Sequence, residues 1–256
     1  MSTVSMLYGK LDELAPFRTQ EKWDNSGLLA GDPDTEVTKA LLVLDITPEA
    51  VEEAARLGAQ LIISHHPVIF HPLKALEPGT APTLLARRGI AAICSHTCLD
   101  KALVNDCLAA ALGLEEVLPF AAGEDGIPMG RVGTLPRAVS PAEFAAAAAE
   151  RLGAPVRYNR GGRIIRRVAV LGGAGGDLIG EAAAIGADAL VTGEAKHHEY
   201  LDAARLGITL FDGTHYATER VVLAPLAERL SAAFPEAEFL LGSGGDVLAW
   251  TGGAAE

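Results

Sequence analysis

Short apolar runs alternate with amphipathic stretches along most of this chain. Ala40–Ile46 (ALLVLDI), Gln60–Ser64 and Ile90–Cys94 read as buried strands. Pro48–Gly58 and Pro82–Gly89 read as the helices between them, and Lys101–Gly113 as the helix after the third. Thr47 is placed to cap the first of these, with Pro48 in its opening turn. The second half repeats the order, with strands at Arg167–Gly172, Ala189–Thr192 and Ile208–Phe211 and helices at Leu178–Gly186, Glu199–Gly207 and Tyr216–Leu230. Glu238–Leu241 and Val247–Trp250 read as late strands. Val4, Leu7, Leu11 and Leu14 mark an N-terminal amphipathic helix, Arg131–Leu135 a strand, and Ser140–Gly153 an Ala-rich helix capped by Ser140. Strands alternating with helices predict an α/β fold with mostly parallel sheets covered on both faces. The Gly- and acid-rich Ala121–Gly130 is the expected linker. It divides the chain into α/β domains at 1–125 and 126–256, with the C-terminal segment able to pack back onto the first.

The two halves also share residues. Glu53, Gly58, Ala59 and Ser64 correspond to Glu181, Gly186, Ala187 and Thr192 at a constant offset of 128. His96-x3-Asp100 is echoed by His215-x3-Glu219. This predicts an internal duplication, with one site built at the interface of two similar domains. The His-bearing motifs, apart from the Phe70–Pro72 turn, follow predicted strand ends, where parallel α/β sheets place their ligands.

Adjacent residues leaving a strand point opposite ways, so His65 and His66 are able to address two different metals. His215 and Glu219 share a helix face, and a carboxylate at Asp100 or Glu219 has the two oxygens needed to bridge two cations, Glu219 being favoured. Glu194 stands at the repeat position of His66. Together with His198 it reads either as a proton-transfer group or as an acid at a helix N-terminus.

Other motifs remove alternatives. Cys94, Cys98 and Cys107 are odd in number and clustered, which predicts reduced thiols. Cys94-x-His96-x-Cys98 lacks the second pair of a closed zinc site. The glycines at 172–176 fit neither a dinucleotide fingerprint nor a P-loop, and no Gly-x-Ser-x-Gly elbow occurs. A net charge of −12 opposes non-specific nucleic-acid binding. The N-terminus has no signal-peptide pattern, and no apolar run reaches membrane-spanning length; the expected location is cytoplasmic.

SHHP (Ser64–Pro67), SHTCLD (Ser95–Asp100), the segment from Thr192 to His198, GTHYATE (Gly213–Glu219) and WDNSGLLAG (Trp23–Gly31) together resemble the Nif-three-like dinuclear-metal family. Its members are often labelled GTP cyclohydrolase I type 2 homologues. The resemblance runs from Trp23 to Arg220. It implies ligands for two divalent metal ions at His65, His66, Asp100, His215 and Glu219, with His96 and His198 lining the site. It also implies a homohexamer. Cys98 stands where the family usually has Asn, and Glu194 where it has Asp. The function expected from residues and resemblance together is a metal-dependent hydrolase using metal-activated water, with His96, His198 and Glu194 as catalytic groups. The ions would be Zn, Fe, Mn, Co or Ni. A purine nucleotide such as GTP, or a phosphoester, is the expected substrate. The alternative is a metal-containing oligomeric binding or regulatory protein without turnover.

Overall fold

A computed structural model describes residues 1–123, 125–160 and 162–250. The described residues form two compact units, Met1–Ala102 with Leu223–Gly244, and Leu103–Val222 with 245–250. The division therefore falls within the π-helical turn Asp100–Val104 and not at Ala121–Gly130. The Gly-rich stretch is a hairpin turn, because Glu115–Ala122 pairs antiparallel with Pro128–Val139 and Gly123 N donates to Ile127 O.

The first unit is built on a five-stranded sheet in the order Glu238–Leu241, Lys39–Val43, Leu61–Ser64, Ala91–Cys94, Gly27–Ala30. The first four strands are parallel and the fifth is antiparallel to its neighbour. Val43, Ser64 and Cys94 lie side by side in register. The three central strands thus end together, and the residues after each emerge at one edge. Helices Pro48–Leu57 and Ala81–Arg88 bury Ala50, Val51, Ala54 and Leu85 against Leu41, Ile62 and Ala92 of the sheet. Thr47 caps the first helix by accepting from Ala50 N, and Gly58 ends it in the left-handed conformation at φ 70°.

The second unit holds a six-stranded sheet in the order Glu115–Ala122, Pro128–Val139, Ile165–Val170, Ala189–Thr192, Thr209–Asp212, Arg157–Tyr158. Its three inner strands, Ile165–Val170 to Thr209–Asp212, are parallel, and the flanking strands are antiparallel. One core joins Val168, Val170, Val191 and Phe211 to helix Pro141–Leu152 through Phe144, Ala148 and Leu152. Another packs Ile179, Ala182 and Ala203 of helices Ile179–Ala184 and His197–Leu206 on Ala169, Leu190 and Leu210.

Several expected elements differ. The predicted helix Tyr216–Leu230 is two helices, His215–Arg220 and Leu223–Ala233. Pro225 has no N–H for the fourth carbonyl back and crowds it, so a continuous helix is broken around Val221. Val247–Trp250 is not a strand. Gly27–Ala30, within the polar, Gly-containing WDNSGLLAG segment for which the sequence predicts no strand, is an edge strand, and Gly27 lies opposite Cys94. Among the described residues no helix is long and apolar enough to cross a membrane.

Candidate functional site

In the first unit, His65 and His66 follow strand Leu61–Ser64, and His96 follows Ala91–Cys94. The chain bends at the histidine pair, so strand pleating no longer applies. The two rings converge, with centroids 4.9 Å apart, and His96 lies 5.1 and 5.4 Å from them. Ligating nitrogens of the three lie within 4.8 Å of one another.

The tautomers follow from the neighbours. His65 Nδ1 is 3.0 Å from the carbonyl oxygen of Ser95, which only accepts, so Nδ1 carries the proton and Nε2 the lone pair. His66 Nδ1 faces Asp45 Oδ1 at 2.8 Å and His96 Nδ1 faces Asp24 Oδ1 at 2.9 Å, so in both rings Nδ1 is the donor. Metal-ligating histidines have this arrangement, in which an acceptor behind the ring fixes its tautomer and orientation. His65 Nε2 is 3.5 Å from Asp100 Oδ1, and both side chains are buried. A lone pair facing a carboxylate calls for a positive charge between them, either a proton or a metal ion.

Asp24 organises the His96 side. It accepts from Thr97 N at 3.0 Å, Thr97 Oγ1 at 2.5 Å and Ser26 Oγ at 3.2 Å, besides His96. Burial pushes its carboxyl up, but the bonds from His96 and Thr97 outweigh burial and hold it far below the usual carboxylate range. Ser26 Oγ also accepts from His96 N. Antiparallel pairing of Gly27 with Cys94 puts Asp24 and Ser26 beside the turn that carries His96.

In the second unit, Glu194 is the second residue after strand Ala189–Thr192, as His66 is after Leu61–Ser64. His215 and Glu219 lie on helix His215–Arg220, one turn apart. His215 Nδ1 is 2.9 Å from Glu194 Oε1 and Nε2 is 3.1 Å from Glu219 Oε2. One ring thus sits between two carboxylates, and Glu219 is buried. Thr214 aims the ring from a costly conformation, φ 68° and ψ 145°, which a β-branched residue rarely adopts. It is held there by Thr214 N donating to Asp212 Oδ1 and by Ala217 N donating to Thr214 Oγ1. A cavity of about 430 Å³ opens beside Glu194 and His215, large enough for a nucleoside-sized molecule.

The glycine loop after Ile165–Val170 serves this helix. Gly173 has φ +67°, and a Cβ there would run into Glu219 Oε1. Gly193 lets the backbone come so close that a Cβ would lie 2.6 Å from His215 Cα. Gly173→Ala should therefore cost about 1–2 kcal/mol for the left-handed backbone alone. It should also displace the Glu219 carboxylate and weaken metal binding at least about 10-fold in a chelator-competition titration. Unchanged metal affinity would show that the close approach is structural only.

Of the residues singled out from sequence, His65, His66, His96 and Asp100 gather in the first unit, and Glu194, His215 and Glu219 in the second. His198 does not join them. Its side chain is 67% exposed, with Glu199 4.0 Å away, and it is not part of the cavity wall. Cys94 and Cys98 are buried, with Ser64 and Ser95 hydroxyls against their sulfurs, and burial pushes both thiols up. They are packed neutral thiols, and among the described residues no cluster able to hold a metal includes a cysteine. Asp45 and the Ser95 carbonyl were not singled out from sequence. Asp45 lies two residues beyond Val43, as His66 lies two beyond its partner Ser64, a signal that pairing of adjacent parallel strands would have supplied.

The donor chemistry fits a first-row divalent cation, since imidazole and carboxylate are its usual protein ligands. The sequence matches the Duf34/NIF3 (NGG1p interacting factor 3) family over residues 2–242. The chain belongs to the Duf34/NIF3 family. A Clostridium perfringens (strain 13 / Type A) relative named GTP cyclohydrolase 1 type 2 homolog is 31% identical over 233 residues, covering 86% of this chain and 88% of that protein. A Helicobacter pylori (strain J99 / ATCC 700824) protein named GTP cyclohydrolase 1 type 2 is 33% identical over 243 residues, covering 90% and 92%. The crystal structure of a Staphylococcus aureus hypothetical protein superposes with a TM-score of 0.90 at 30% identity, covering 97% of this chain and 99% of that one. The Duf34/NIF3 match includes every motif gathered at the two clusters.

Proposed function

We propose that this Duf34/NIF3 chain binds two divalent metal ions through His65, His66, Asp100, His215 and Glu219, and that it is a metal-dependent hydrolase. The observation that carries this reading is one ring orientation repeated at four histidines. His65, His66, His96 and His215 each turn Nδ1 to a carbonyl or carboxylate oxygen, which leaves Nε2 as the nitrogen that would take a metal ion. Evenly acceptor-backed imidazoles beside buried carboxylates are the arrangement of a metal site and costly for a polar cluster without one. Bound ions of this kind supply Lewis acidity and lower the pKa of water. Asp24 keeps His96 oriented and able to take a proton at Nε2 and return it. Glu194 fixes His215, so a carboxylate at that position has work whether or not it touches substrate.

The names of the Clostridium perfringens and Helicobacter pylori relatives make GTP the first substrate to assay, with purine C–N bond hydrolysis as the reaction class. Shared ancestry does not fix a substrate, so the chemistry has to be measured. Metal-reconstituted protein should consume GTP, and His96→Gln should lower kcat by about 10²–10⁴ with metal content retained. Intact metal content with neither GTP loss nor phosphoester cleavage would overturn the hydrolytic part of the proposal.

A further inference from the structure

Trp23 and Phe70 are large aromatic side chains left 54% and 41% exposed. Their ring centroids lie 5.9 Å apart, and the rings stand edge-on to His96 at 5.8 and 6.5 Å. Exposed aromatic surface forgoes the stabilisation of burial, so a fixed pair of this kind needs an explanation. The pair is fixed by the residues beside it. Asp24, next to Trp23, is bonded to His96 and Thr97. Asn25 Nδ2 donates at 2.6 Å to the carbonyl of Ile69, next to Phe70. One short polar segment thus orients His96 and ties together the two stretches of chain that carry the rings.

We propose that Trp23 and Phe70 form a platform for a planar heteroaromatic ring of the substrate, laid beside the His65, His66 and His96 cluster. The proposal rests on the metal-site reading, which makes that cluster the place of reaction. Every purine or related ring has a π-face to stack on such a surface, and loss of one aromatic wall weakens ring binding by about 10-fold or more.

The chain has two tryptophans, so Trp250→Phe leaves Trp23 as the only one; Trp250 lines the cavity beside His215, so calorimetry first checks that this background binds nucleotide as wild type does. Metal-reconstituted protein of that background would be titrated with GTP and ATP, and with tripolyphosphate and ribose 5-phosphate as ring-free probes. The nucleotides should quench Trp23 fluorescence saturably and the ring-free probes should not. By calorimetry, Trp23→Leu and Phe70→Leu should each weaken nucleotide binding about 10-fold with metal content unchanged, while Trp23→Phe keeps most of the affinity. Three results would overturn the platform: no saturable quenching by either nucleotide, equal affinity in the Leu variants, or Leu variants that dissociate an assembly in sedimentation without altering nucleotide binding. Failure of wild-type protein to take up metal would instead count against the metal reading, so the two failures are distinguishable.

Discussion

Glu219→Gln should fold and lose metal. The amide has the shape of the carboxylate but carries no charge, and the position is buried beside His215, with Glu219 Oε2 3.1 Å from Nε2. Metal-free protein should be no less stable than wild type within about 1 kcal/mol, because a buried carboxylate is itself expensive. The difference appears on adding metal. A ligand at 100 times its Kd stabilises the fold by about 2.7 kcal/mol, and weaker binding removes that gain. For a chain of this size this amounts to a Tm deficit of about 5–10 °C in the presence of Zn or Mn. Thermal unfolding with and without metal separates the cases, since a purely structural Glu219 would shift Tm equally in both.

Asp24→Ala should be the more damaging change to the metal-free fold. Asp24 takes hydrogen bonds from Thr97 N, Thr97 Oγ1, Ser26 Oγ and His96 Nδ1. Removing it strands donors in a partly buried turn, at about 1–3 kcal/mol for each that water cannot reach, or about 2–4 kcal/mol in all. It also frees the His96 ring, so metal affinity or turnover should fall in parallel. The pH dependence has a definite sign. The Asp24 carboxyl is held below its ordinary value of 3.8, so its contribution is fully present above that pH. The contribution is lost as pH falls below that value toward the lower folded pKa. Wild type should therefore lose stability steeply below about pH 4, and Asp24→Asn should have a flatter acid limb in urea-unfolding measurements. Parallel limbs would mean that Asp24 contributes no linkage.

Much of this arrangement is legible in the residues, and the gaps have physical causes. The strands that carry ligands are short, fully buried runs with ligands at their ends, so Leu61–Ser64 and Ala91–Cys94 were readable to within a residue. Parallel-strand register placed His65 and His96 on one edge as the position rule requires. Gly27–Ala30 was missed because two of its four residues, Gly27 and Ala30, are weak strand formers, and pairing with Ala91–Cys94 decides its state. The sequence leaves Asp24 either a capping or a site-lining residue, because only the long-range pairing that brings it to His96 decides between them. The Ala121–Gly130 turn looked like a linker because hairpin turns and linkers draw on the same residues. The convergence of His65 and His66 depends on a bend that no periodicity encodes.

The decisive measurement is metal content by mass spectrometry on untagged protein after reconstitution with Zn, Fe or Mn, compared with His65→Ala and Glu219→Gln. About two ions per wild-type chain, with fewer in both variants, is the predicted result. Wild-type protein that retains no metal, or variants that retain as much as wild type, would contradict the assignment of these residues as metal ligands.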